Sequence, residues 1–217
     1  MSFRDRKDAG KRLAEALASY RSCRPVVLAL PRGGVPVAAE VAHSLHAPLD
    51  LVLVRKIGVP GQPELAMGAV VEGTPPLALR NEDVIGTLDI GDRGFNRVRE
   101  REIAELERRR QAYLADRPRV DVAGRVAIVV DDGIATGMTI RAAAHATTAR
   151  GARQVVIAAP VAAASVAAEL RGEVGEVVCV EEPEDLLAIG YHYADFRQVD
   201  DDEVRRVLAQ APVSATG

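Results

Sequence analysis

Tryptophan is absent and aromatic residues make up only 3% of the 217-residue chain. So little ring surface leaves few platforms on which the bases of single-stranded nucleic acid could stack. A basic excess is missing too. Lys and Arg number 28 against 31 Asp and Glu, a formal charge of −3, whereas a protein that neutralises many phosphates shows the opposite balance. No nucleic acid partner is expected, and any phosphate ligand should be small. Cysteine is scarce: Cys23 and Cys179 lie far apart and form no CxxC, and the four scattered histidines (His43, His46, His145, His192) supply no HExxH. A zinc enzyme is disfavoured. Long hydrophobic runs are missing as well; none approaches the ~20 apolar residues of a membrane span. The opening MSFRDRKDAGKRLAEAL is charged where an export signal needs an apolar stretch. The expected location is the cytoplasm, with no membrane partner and with both cysteines as reduced, inert core thiols.

What is present describes an ordinary globular chain, with hydrophobic residues at 48% and charged residues at 27%. Its length favours a single domain, with a core over about residues 22–180, a cap over about 181–210 that the first 21 residues could join, and a disordered tail at 211–217. Residues 4–20 carry Leu13, Leu17 and Tyr20 at helical spacing among charges. Val26 to Leu30 (VVLAL) is an apolar run too short for a helix and bounded by proline, as a buried parallel strand would be. Pro31-Arg32-Gly33-Gly34 follows, then an Ala-rich helix to His46, then a second buried run, Leu49 to Val54, ending in Arg55-Lys56. That is a βαβ unit. Residues 58–73 mix turn formers with a short apolar run and read as a mobile loop leading into a short strand. Residues 97–114 form a long helix whose arginines alternate with glutamates, a salt-bridged solvent face rather than a nucleic-acid surface. Val126 to Val130 is the strongest strand, and alternating helices and strands then continue through Val155 to Ala159, Ala163 to Leu170 and Val177 to Val180. The fold class is α/β: a parallel sheet of about five strands with helices on both faces.

Two loops follow buried strands directly, where ligands of open α/β sheets bind. In the first, Gly33 and Gly34 let backbone N–H groups converge on an anion. In the second, Asp131-Asp132 offers adjacent carboxylates to a pair of vicinal hydroxyls, and Ala135, Thr136, Gly137, Met138 and Thr139 supply N–H groups and hydroxyls to a phosphate. One loop thus addresses both ends of a ribose phosphate. Carboxylates beside a phosphate imply an intervening cation, Mg²⁺, held at Asp131 and Asp132 mainly through water and the ligand's own oxygens. The bland alternative is a turn with a helix cap at Thr136 or Thr139.

The run Val129-Val130-Asp131-Asp132-Gly133-Ile134-Ala135-Thr136-Gly137-Met138-Thr139 resembles the phosphoribosyl-pyrophosphate (PRPP) signature of type I phosphoribosyltransferases. LPRGG, RKIGVPG and a hood ending in YADFRQ are similar to a bacterial group within that family whose acceptor is not settled. The resemblance implies the type I phosphoribosyltransferase fold with a small hood at 181–210. It implies that Arg32, Gly33, Gly34, Arg55 and Lys56 bind pyrophosphate, that residues 59–70 form a mobile catalytic loop, and that a homodimer is a possible assembly. The implied activity is Mg²⁺-dependent transfer of the phosphoribosyl group from PRPP to a nitrogen nucleophile, an unidentified small-molecule acceptor. Asp131, Asp132, Arg32 and Lys56 would be the catalytic residues. Guanine and hypoxanthine are disfavoured, because Ala135 stands where the enzymes for those bases carry Asp and residues 158–162 contain no Lys. Glu64 as a base and His192 as a stacking group for the acceptor are weaker candidates beside roles as a solvated loop carboxylate and a packing residue. The alternative class is a PRPP or nucleotide sensor that keeps the pocket without turnover.

Overall fold

The computed structural model describes residues 2–73, 75–114 and 117–211; the expectation of a disordered tail falls almost wholly outside them. Helix α1 (Arg6–Ala16) starts at Asp5, whose carboxylate accepts from the Asp8 N–H at 2.8 Å. Strand β1 (Val26–Ala29) leads into α2 (Gly34–Leu45), which returns to β2 (Leu49–Leu51). After an inserted segment the chain forms β6 (Val126–Val130), α5 (Met138–Ala149), β7 (Gln154–Val161), α6 (Ala164–Val174) and β8 (Glu176–Glu181). The five strands pair in parallel in the order β2-β1-β6-β7-β8. Residue alternation divides the core between the two faces. Val27, Ala29, Ile128 and Val156 pack with α1 and α2, while Val26, Leu28, Val129 and Ile157 pack with α5 and Leu170 of α6. Burial on both faces explains why these strands read as continuous apolar runs.

The inserted segment differs from the sequence reading. The expected second strand over residues 49–54 stops at Leu51; from Val54 the chain starts β3 (Val54–Val59), in a separate antiparallel sheet with β4 (Gln62–Val71) and β5 (Leu77–Arg80). The segment expected as a loop before a short strand is therefore a hairpin, turning at Pro60-Gly61 with Gly61 at φ 83°. Turn formers dominate its tip and disguise the pairing behind it. Arg55-Lys56 accordingly lies inside a strand, not in a loop. Two further helices, α3 (Glu82–Thr87) and α4 (Asp92–Leu114), complete the insert. Helix α4 packs on β3 and β4 through Phe95, Val98 and Leu106, and begins at Asp92 rather than at the expected residue 97.

The last helix, α7 (Asp201–Gln210), falls in the stretch expected as hood. It lies instead against α2 and α4, with Val204 and Leu208 buried in the main core. Cys23 is exposed, contrary to its expected place in the core, while Cys179 is half-buried with its thiol pushed up to about 12 chiefly by desolvation. Among the described residues no helix is long and apolar enough to cross a membrane.

Candidate functional site

Strand order reverses at β1: the next strand, β2, lies on one side and β6 on the other. The carboxyl ends of β1 and β6 therefore open a crevice, and the two loops singled out in the sequence enter it. Their approach is so close that only glycine fits the first loop. A Cβ on Gly33 would lie 2.1 Å from Asp132 Oδ2, and one on Gly34 would lie 2.7 Å from the Val130 carbonyl oxygen and 2.9 Å from Asp131 Cα. The Pro31–Arg32 peptide between strand and glycines is cis.

The second loop ends at Gly137, which has φ 71°, a left-handed conformation suited to glycine. Gly137 is the N-cap of α5, and no side chain caps that helix. The first bond back into the helix is from the Arg141 N–H to the Gly137 carbonyl, at 2.9 Å, so the N–H groups of Met138, Thr139 and Ile140 have no acceptor from an earlier helical turn. Thr136, Met138 and Thr139 are exposed. The bland reading of this loop as a capped turn therefore fails at the cap, and what remains is an open helix start suited to an anion. A cavity of 410 Å³ lies against it, lined by Lys56, Glu64, Asn81, Thr136, Met138 and Thr139 among others. Its volume is in the range of small-molecule sites.

The β3 pleat separates the two basic residues. Lys56 faces the cavity, where Nζ donates to the Glu64 carbonyl at 2.9 Å and to its carboxylate at 3.2 Å. Arg55 points to the opposite side and pairs with buried Glu102 of α4 at 2.7 Å. Of the two, only Lys56 lines the cavity beside Thr136, Met138 and Thr139. Arg32 reaches Asp201 of α7 at 3.6 Å, and that carboxylate also accepts from the Tyr113 hydroxyl at 2.6 Å.

The acidic pair is held by residues that the sequence did not single out. Arg6 Nε donates to Asp132 Oδ2 at 2.8 Å, with both side chains largely buried, and its guanidinium lies 3.9 Å from the Phe196 ring centroid. Tyr193 donates its hydroxyl to the Asp132 carbonyl at 2.6 Å and packs on Phe3 and Phe196 with ring centroids at 5.3 and 4.9 Å. Backbone bonds from Ser2 and Phe3 to His192, and from Ala194 to Phe3, join the amino terminus to this segment. Asp131 is pushed well above the ordinary carboxylate range, first by desolvation and then by the neighbouring Asp132 charge. Burial likewise raises the Tyr193 hydroxyl. His192 meets Glu181 at 3.0 Å, and Tyr191 beside it is exposed. Glu64 is almost fully exposed. The signal for Tyr193 and Phe196 was their clustering; Arg6 was one charge among many in RDRKDAGKR.

Comparison with known proteins gives this geometry a context. The family described as Phosphoribosyl transferase domain matches residues 4–195. Two Mycobacterium tuberculosis proteins, named "Putative phosphoribosyl transferase" Rv0571c (strain H37Rv) and MT0597 (strain CDC 1551), are each 45% identical over 209 residues, which is 96% of this chain and 47% of theirs. The chain thus spans about half the length of the curated relatives it matches. The crystal structure of TT1426 from Thermus thermophilus is similar with a TM-score of 0.81 at 42% identity, covering 97% of this chain and 99% of that one.

Proposed function

The chain belongs to the phosphoribosyl transferase family, and from that premise we propose that it transfers the 5-phosphoribosyl group of PRPP to a nitrogen nucleophile, with Mg²⁺, and releases pyrophosphate. The observation that carries this reading is the convergence of the two loops. Gly33 and Gly34 lie against Asp131-Asp132 with no room for a Cβ, and the same loop runs on to the uncapped start of α5. Diphosphate, ribose hydroxyls and 5-phosphate each find a complementary group there.

The donor set fits Mg²⁺. Two adjacent carboxylates are hard oxygen ligands, and no cluster of three or more His, Cys, Asp or Glu side chains suited to a metal exists among the described residues, so the remaining ligands would be substrate oxygens and water. When bound, the ion would neutralise charge on the departing pyrophosphate. The chain's own residues position and stabilise. The acceptor nitrogen's lone pair forms the bond to ribose C1 while the C1–oxygen bond breaks; the electron pair leaves with pyrophosphate and the nitrogen's proton passes to solvent. Asp131 and Asp132 counter the positive charge growing on the ring, and Lys56 and the Gly33 amide meet the leaving group; the Gly34 N–H is already donated to the Leu30 carbonyl at 3.0 Å. We assign Arg32 to the leaving group as well, with its Asp201 contact exchanged for phosphate. Phe3, Arg6 and residues 189–196 form the hood in this reading. Glu64 has no role as base.

Residues 158–162 are buried and contain no Lys, and Ala135 offers no carboxylate. A 6-oxopurine would find no matched partner there, so guanine and hypoxanthine are not the acceptors. The test incubates protein, PRPP and Mg²⁺ with a pool of bases and amines and follows pyrophosphate. Release that depends on one acceptor supports transfer. PRPP binding without release from any acceptor selects the sensor, and turnover of guanine or hypoxanthine at ~10⁴ M⁻¹s⁻¹ overturns the specificity.

A further inference from the structure

The opposite end of the parallel sheet carries a cleft that the transfer reaction does not use. It measures 830 Å³ and is lined by Arg21, Arg24, Arg125, Arg153, His46 and Cys23, with Pro25, Pro48 and Gly124 from the segments that enter β1, β2 and β6. No carboxylate is in its lining. Most arginines elsewhere are held by acids, as Arg6 is by Asp132, Arg110 by Glu72 and Arg141 by Glu173. Among the described residues none of the four cleft arginines has an ion pair. Arg21 donates to the Ser44 carbonyl, and Arg125 donates to the carbonyls of Arg24 and Pro25. Those bonds aim the guanidiniums without cancelling their charge. Glu176, close in the fold, is engaged by Gln154 at 2.9 Å and by Tyr20 and does not enter the cleft.

Four like charges gathered in a concavity, in a chain whose net charge is −3, repel one another unless an anion joins them. We propose that this cleft binds a small anion bearing several phosphate groups. The site is separate from the PRPP crevice: β6 lies between Arg125 at its foot and Asp131 at its head, about 20 Å of strand. Bare polyphosphate and the phosphate chain of a nucleotide share the chemistry. The volume accommodates either.

Cys23 is a built-in reporter, exposed in the cleft, whereas the Cys179 thiol is half-buried and raised to about 12. The experiment measures Cys23 alkylation by neutral iodoacetamide in Mg²⁺-free buffer while inorganic tripolyphosphate is titrated, with sodium chloride at matched ionic strength as control. Saturable protection is expected, about tenfold when the probe stands at ten times its Kd. ATP titrated in parallel separates the sources: stronger protection identifies a nucleotide, equal or weaker protection a bare polyphosphate. Arg24→Asn combined with Arg153→Gln should abolish protection. Both side chains are exposed, and Asn tolerates the left-handed φ of 47° at position 24. Asp132→Asn should leave protection intact, which keeps this result independent of the PRPP site. No protection of the wild-type protein by about 1 mM tripolyphosphate, the weak end of specific binding, overturns the proposal. So does protection that survives in the double variant or disappears in Asp132→Asn.

Discussion

Arg6 and Asp132 are 126 positions apart in sequence and meet at 2.8 Å, so the first helix is fastened to the carboxylate at the head of the strongest strand. Their side chains are only 11% and 13% exposed. Removing one partner would strand a mostly desolvated charge beside Asp131. Arg6→Met is therefore expected to cost roughly 1–3 kcal/mol, a fall in Tm of about 2–12 °C for a chain of this size. Arg6→Lys should recover only part of it. The guanidinium also donates to the Arg197 carbonyl and lies on Phe196, which an ammonium cannot reproduce in one geometry. Thermal melts of the two variants check this, and an unchanged Tm in Arg6→Met would remove the pair from the account.

Adjacent residues on β3 should give opposite phenotypes. Lys56→Met takes a cation from the cavity beside Thr136 and Thr139, where its ion-pair partner is exposed Glu64. Stability should stay within about 0.5 kcal/mol of wild type, while kcat/KM with PRPP falls by about ten- to a thousandfold. Arg55→Met instead leaves Glu102 buried with Arg101 as its remaining partner, so the melt should drop and the kinetics of the folded fraction should change little. Steady-state kinetics and melts on both variants would contradict this if Arg55→Met lost activity at unchanged stability.

Much of this was legible in the sequence, for reasons that have limits. Parallel strands buried on both faces announce themselves as VVLAL and VAIVV, and the loops that follow inherit their position from the strand ends. The β3–β4 hairpin was not legible, because Pro60, Gly61 and Pro63 mask the long strand behind them. The division of labour between Arg55 and Lys56 depends on the pleat of that hidden pairing. Arg6 could not have been chosen, since a long-range ion pair has no sequence period. The four cleft arginines, spread from position 21 to 153, become neighbours only through the order of strands.

Protonation of Asp131 should be visible in stability. Its carboxyl is raised by burial and by Asp132. A carboxyl of this kind costs nothing below its unfolded pKa of about 3.9. It subtracts stability as pH rises from there toward the higher folded value, because the unfolded chain gives up the proton first. Asp131→Asn removes that cost while its side-chain oxygen can still accept from the Asp132 N–H, now at 2.9 Å. Without ligand, the variant's Tm should exceed that of wild type at pH 8, and the advantage should shrink toward about pH 4, near the unfolded pKa. A variant less stable than wild type at every pH would contradict the burial argument.

The central claim is that the crevice between β1 and β6 binds PRPP, and the most direct measurement is the melting temperature in Mg²⁺ with and without PRPP. At a hundred times Kd the ligand should stabilise the fold by about 2.7 kcal/mol, a shift of roughly 5–10 °C. Asp132→Asn, which keeps the strand and loses a charge at the ribose, should fold and show a smaller shift at the same PRPP concentration. A shift of that size in wild type, reduced in the variant, is the result the account predicts; no PRPP-dependent shift in the unmutated protein would contradict it.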